Sequence, residues 1–105
     1  MMQANIDGRT LTVTDAKGSS SGLSIKLFYS DDWNGLIKQL CFTNDRSGAM
    51  RRISGDPHIC RVPEMLADGS SISVYARGLD MFGKELITTN RQTIYPGPAK
   101  LTPAQ

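Results

Sequence analysis

Apolar and polar residues alternate with a period of two through most of this chain, and the alternation is clearest on either side of its single tryptophan. In LSIKLFYS, Leu23, Ile25, Leu27 and Tyr29 alternate with Ser24, Lys26, Phe28 and Ser30, which predicts a strand with one buried face. In LIKQLCFT the pattern blurs. Leu36, Leu40 and Phe42 share a side with Lys38, while Ile37, Gln39, Cys41 and Thr43 take the other, so this strand is expected to be covered on both faces. A short amphipathic helix over Asn34–Gln39, capped by Asp31 or Asp32, is the competing local reading. Between the two runs lies Ser-Asp-Asp-Trp-Asn-Gly, a turn composition. A tryptophan buries about 150–250 Å², so Trp33 is expected to plug one end of whatever the two strands build.

The remaining chain repeats the strand-and-turn rhythm. Gln3–Ile6 and Thr10–Thr14 flank Asp7-Gly8-Arg9, a hairpin signal. DAKGSSSG, Asp15–Gly22, has no periodicity and reads as a mobile loop. Ala49–Ser54 forms a hairpin with the strand before it and is broken at Gly55-Asp56-Pro57. Ile59, Cys60 and Val62 lead to Pro63–Gly69, which has proline at a first helical position and glycine just past the end. That single helical turn is expected to cap the core with Met65 and Leu66. Ile72, Val74 and Ala76 alternate with Ser73, Tyr75 and Arg77 in a strand closing at Gly78. LDMFGK connects it to Glu85–Thr89, and Arg91–Tyr95 is the last strand.

Seven or eight short strands with closely spaced turns predict an all-β fold, an immunoglobulin-like antiparallel β-sandwich with one short helical turn. Its expected structural core comprises Trp33, Leu36, Phe42, Val62, Pro63, Leu66, Val74 and Gly78. Residues 1–95 read as one domain, and 96–105, PGPAKLTPAQ, as a Pro-rich C-terminal arm.

Composition narrows the function classes. At 105 residues, with 39% hydrophobic and 21% charged residues, the chain can bury its own core. A formal net charge of +2, with no basic block beyond Arg51-Arg52, points away from nucleic acid. MMQANIDGRT lacks the charged and apolar regions of a secretion signal, and no apolar run is long enough to span a membrane; synthesis and retention in a cytoplasm are expected. Cys41 and Cys60 read as small buried hydrophobes, with a disulfide conceivable if their strands are neighbours.

Catalytic groups are sparse. His58 is the single histidine, so a Ser-His-Asp arrangement would have to run through it and a multi-imidazole metal site is excluded. Asp31 and Asp32 are adjacent and would diverge from an extended backbone, which suits capping better than acid–base work. With Asp45 and Asp56 they lack the spaced ladder of a calcium loop, and Gly18, Gly22 and Gly35 do not make a phosphate loop. Tyr29, Tyr75, Tyr95 and Trp33, if displayed, would form a sugar-stacking platform. No metal, cofactor or enzymatic activity is expected.

One resemblance spans about Thr10 to Tyr95. The succession Ser30-Asp31-Asp32-Trp33-Asn34-Gly35-Leu36, Leu40-Cys41-Phe42-Thr43-Asn44, Ile59-Cys60-Arg61-Val62-Pro63-Glu64-Met65-Leu66, Ile72-Ser73-Val74-Tyr75-Ala76-Arg77-Gly78 and Thr88-Thr89 resembles the N-terminal β-sandwich domain of phage baseplate upper proteins. It is also similar to short relatives encoded among the structural genes of phages of Gram-positive bacteria. The resemblance implies an immunoglobulin-like virion component, made in the host cytoplasm, that docks to copies of itself or to other virion proteins, with no enzymatic activity and no cofactor. Baseplate proteins continue into a helical linker and receptor-binding parts. This chain stops after PGPAKLTPAQ, so a stand-alone head-decoration role is a close alternative. A carbohydrate-binding accessory module and a phage-encoded inhibitor of a host defence enzyme are the others. The Asp15–Gly22 loop and the terminal arm are the expected contact regions.

Overall fold

The computed structural model describes residues 2–14, 24–55 and 57–95. The expected contact loop at 15–22, Asp56 and the arm at 96–105 lie outside the described residues. Among the described residues, nine strands form two sheets around one core: β1 (Met2–Asp7), β2 (Thr10–Thr14), β3 (Ser24–Tyr29), β4 (Ile37–Asn44), β5 (Met50–Ser54), β6 (Ile59–Arg61), β7 (Ile72–Leu79), β8 (Glu85–Thr88) and β9 (Gln92–Ile94). The first sheet runs β2-β1-β3-β6 and the second β5-β4-β7-β8, with β9 also on β7. The molecule is therefore an all-β sandwich.

Strand alternation translates directly into packing. β1 buries every second residue, Met2, Ala4 and Ile6, because successive side chains of a strand point to opposite faces. Ile25 and Leu27 of β3 join them, and Leu40, Phe42, Ile72, Val74 and Ala76 of the second sheet close the core from the other side. In β4, Leu40, Cys41 and Phe42 are all buried, the two-sided burial expected from its blurred pattern. Cys41 points outward, opposite Arg52 on one side and Tyr75 on the other.

Three expectations need correction, and one competing reading falls away. The sandwich is not purely antiparallel, because β1 pairs in parallel with β3, from Met2 opposite Ile25 to Ile6 opposite Tyr29. β1 already has β2 on one side in a hairpin closed by the two-residue Gly8-Arg9 turn, so β3 takes its remaining edge. Asn34–Gln39 is not helical: only Asp31–Trp33 makes a 3-10 turn before β4 begins at Ile37. The Pro63–Gly69 helix shrinks to a second 3-10 turn at Glu64–Leu66, with Pro63 outside it as cap, too short for the i→i−4 bonding that sustains an α-helix. Its Leu66 is buried, but Met65 is 67% exposed and caps nothing.

The last two strands share one edge of β7. β8 pairs with Arg77–Leu79 and β9 with Ile72–Val74. In the gap between them Thr89 N–H donates to the Ala76 carbonyl (3.0 Å), and Ala76 N–H donates to the Thr89 hydroxyl oxygen (2.9 Å), so a side chain replaces the missing ladder acceptor. Asn90 then reaches the other sheet. Its Oδ1 accepts from Leu11 N–H at 2.7 Å and its Nδ2 donates to the Leu11 carbonyl at 3.1 Å, imitating a peptide group along the outer edge of β2.

Candidate functional site

The tryptophan corner is the joint on which both sheets meet. Trp33 has no exposed surface; its Nε1 donates to the Gly8 carbonyl at 2.9 Å and its ring lies 5.2 Å from that of Tyr29 at a 51° tilt. The same corner ties down the β1–β2 turn, since Gly8 N–H donates to Ser30 Oγ (3.0 Å) and Ser30 N–H to the Ile6 carbonyl (2.8 Å). Gly8 sits at φ +56°, as the first residue of a tight hairpin turn requires. Underneath, a methyl group on Gly78 would lie 2.7 Å from Ile87 Cγ2, 2.8 Å from Leu36 Cδ1 and 3.0 Å from Trp33 Cζ3. Gly78 is thus the floor on which the indole rests. Of the expected core residues, Trp33, Phe42, Val62, Leu66, Val74 and Gly78 are buried, whereas Leu36 and Pro63 are half-buried, Leu36 against the core.

With the indole turned inward, a sugar platform loses its largest ring. Tyr29 stacks on Trp33, and Tyr75 is half-buried with the Arg91 guanidinium 5.2 Å from its ring centre. Tyr95 remains, about half exposed.

A shallow groove of about 350 Å³ opens where β3 approaches the segment between β5 and β6, lined by Leu27, Phe28, Tyr29, Asn34, Lys38, Pro57 and His58. Lys38 Nζ stands 5.6 Å from the Tyr29 ring centre and donates to the Leu36 carbonyl at 3.2 Å. Burial, chiefly, holds the Tyr29 phenol well above its ordinary range, so it stays neutral. His58 is exposed, and its carbonyl accepts from Leu27 N–H at 2.9 Å. No carboxylate figures among the described lining residues. Asp31 and Asp32 are exposed on the first 3-10 turn, where Asp32 accepts from the Ser30 hydroxyl at 3.3 Å. Asp45 holds Ser71 and Ser73 through hydroxyl bonds of 2.7 and 2.6 Å, which keep its carboxyl below the usual range. Among the described residues, no group of three or more His, Cys, Asp or Glu is placed to hold a metal ion. Cys41 and Cys60 are free thiols on strands of different sheets, and burial pushes the Cys60 thiol up to about 11.

Asn44, which the sequence does not single out, organises the opposite end. It is 2% exposed, yet all of its amide is used: Oδ1 accepts from Arg46 N–H (2.9 Å) and Ser47 N–H (3.0 Å), and Nδ2 donates to the Leu66 carbonyl (2.7 Å) and to Asp68 Oδ1 (3.0 Å). Asp68 also accepts from Ser70 N–H at 2.9 Å. The Ser70 and Asn44 bonds to its ionised form lower its pKa from 3.8 to about 2. A carboxyl depressed on folding stabilises the fold above its unfolded value and loses that contribution as pH falls through the folded value. The melting temperature is therefore expected to drop as pH goes from 3.8 toward about 2, and to drop less steeply in Asp68→Asn, which keeps an acceptor but cannot titrate. Thermal melts across that range check this; parallel slopes for the two proteins would show that acid acts elsewhere.

The exterior carries the remaining candidates. Phe82 and Met81, on the turn between β7 and β8, are 88% and 82% exposed. On the outer face of the second sheet, Gln39, Arg77 and Thr88 are cross-strand neighbours. Gln39 Oε1, Arg77 Nε and Thr88 Oγ1 are buried there without a hydrogen-bond partner, although Arg77 Nη1 lies 3.6 Å from Glu85. Fold and surface together define a β-sandwich whose aromatic centre serves its own packing. No protein-family model, curated protein or solved structure significantly matches the chain.

Proposed function

We propose that this chain is a non-enzymatic structural or accessory component of a phage or prophage virion, associated with the tail or baseplate and acting by protein–protein docking. The sequence resemblance supports the reading, and so does the position of its quoted motif residues: Trp33 and Leu36 of one segment and Gly78 of another occupy one joint of the fold. The observation that carries the docking role is the apolar tip of the turn between β7 and β8, where Met81 and Phe82 are both exposed. Large apolar side chains clustered on a turn tip mark contact surfaces more often than a chance exposure does. A small sandwich needs only a modest interface per copy, because repetition on a symmetric particle raises effective concentration and multiplies weak contacts.

Mass spectrometry of purified particles from the phage that encodes the chain tests this. The chain is expected in stoichiometric copies, and the double change Met81→Ser, Phe82→Ser is expected to reduce its incorporation without lowering its melting temperature. Recovery in head-only particles would move the assignment to capsid decoration. Absence from particles combined with tight capture of a host enzyme would replace it with the inhibitor reading.

A further inference from the structure

The two long sides of the sandwich are finished differently. On one side the outer edge of β2 is closed, as Asn90 occupies both backbone groups of Leu11 and Gln92 Oε1 lies 3.5 Å from Val13 N. On the other side stand β5 and β6. β6 has three residues, and its Arg61 is paired with Glu64 at 3.2 Å. β5 has five and, among the described residues, pairs only with β4.

The β5 register identifies which of its groups are open. Asn44 N–H donates to the Ala49 carbonyl, and hydrogen-bonded pairs alternate in an antiparallel ladder. The pairs 42/51 and 40/53 therefore bond as well, and the backbone N–H and C=O groups of Met50, Arg52 and Ser54 point away from β4. Among the described residues no hydrogen bond reaches that row. An exposed row of this kind is a template for another strand unless something blocks it.

Charge selects the strand. Arg51 and Arg52 are both exposed, and among the described residues no carboxylate lies within ion-pair distance of either; Arg51 Nε contacts Met65 Sδ at 2.9 Å. Being consecutive in a strand, the two arginines project to opposite faces. Arg51 lies on the Phe42 side and Arg52 on the Cys41 side. A second copy is a poor partner, since antiparallel pairing of two β5 strands about their centre sets Arg52 against Arg52, and like charges directly opposite are destabilising.

We infer that the outer edge of β5 is a strand-addition site for an extended acidic segment of a partner protein, one with two adjacent carboxylates flanked by β-branched residues. Adjacent carboxylates on a strand diverge to both faces as Arg51 and Arg52 do, so one partner residue meets each arginine while the main chain bonds to the open row. The repulsion that keeps copies apart and the attraction for acid are two sides of one specificity. The inference rests on the docking role proposed above and names the kind of partner that it takes.

The acetylated, amidated peptide Thr-Val-Thr-Glu-Glu-Val-Thr-Val, with versions carrying Gln-Gln or Lys-Lys at its centre, tests the site by NMR titration and amide hydrogen exchange on the full chain. At about ten times its Kd the acidic peptide is expected to slow exchange of the Met50, Arg52 and Ser54 amides about tenfold, and its affinity should fall with added salt. Arg51→Glu with Arg52→Glu is expected to transfer the preference to the Lys-Lys peptide, and Arg52→Pro to abolish binding by removing a donor. Equal affinity for all three peptides, shifts centred away from β5, or unchanged exchange at those amides would overturn the inference. Particles lacking the chain, with peptide binding intact, would instead overturn the virion reading and leave this edge assignment standing.

Discussion

Replacing Trp33 by alanine is expected to destabilise the fold by about 3–5 kcal/mol, the range for a fully buried large aromatic. A domain of this size holds only about 5–15 kcal/mol in total, so the variant should be close to unfolding at moderate temperature. The loss has identifiable parts. A cavity opens above Gly78, Tyr29 loses its ring partner, and the Gly8 carbonyl loses the indole donor that ties the β1–β2 turn to the β3–β4 corner. Trp33→Phe separates them, because it retains most of the apolar volume and removes the hydrogen bond; about 1–2 kcal/mol is expected from that bond and the residual space. Gly78→Ala approaches the same contact from below and should cost about 1–3 kcal/mol by overpacking against Ile87, Leu36 and Trp33. Urea titrations read all three. A loss below about 1 kcal/mol for the alanine variant, the level of an ordinary substitution, would mean that the indole is not the joint.

The second large effect is expected at Asn44. Asn44→Leu should lower stability by about 2–4 kcal/mol, because each buried group stripped of its partner carries a desolvation penalty of about 1–3 kcal/mol and only part of the exposed turn can rehydrate. Two regions should loosen together, the turn after β4, held by bonds to Arg46 and Ser47, and the second 3-10 turn, held through Leu66 and Asp68. Amide exchange at Arg46, Ser47 and Ser70 checks the localisation. Asn44→Asp separates shape from chemistry: the acceptor toward Arg46 and Ser47 survives, while the donor toward Leu66 is lost and a second carboxylate faces Asp68. It should be worse than Asn44→Ser at neutral pH and recover partly on acidification, once a carboxyl can donate.

Not every element was equally legible. The alternation of β1 and β7 is visible in Gln3–Ile6 and in Ile72–Arg77, since period two is a local property of an extended chain with one buried face. Trp33 was legible for a related reason, being the single large aromatic of a turn between two strands. Asn44 and Asn90 were not. Asparagine in a loop is ordinarily a turn former, and nothing local distinguishes one that solvates itself from one that bonds to a segment 79 residues away, as Asn90 does to Leu11. Met65 and Leu66 look interchangeable as cap residues, yet a 3-10 turn rotates them to different sides and only one reaches the core. The edge of β5 lay in between: its two arginines are plain in the sequence, but that they stand beside a row to which no described residue bonds depends on which strand is its neighbour.

By itself the amino-acid order determined where the chain runs extended, where it turns, and which faces must leave water, because these follow from side-chain spacing and backbone preference within a few residues. The tertiary structure alone decided that β3 enters parallel to β1, that β8 and β9 divide one edge of β7, and that one flank is sealed by amide side chains while no described residue bonds along the other. Those outcomes depend on pairings between segments distant in the chain. Their free energy comes from burying both apolar faces at once and from matching the backbone groups left over, neither of which exists until the two sheets are in contact.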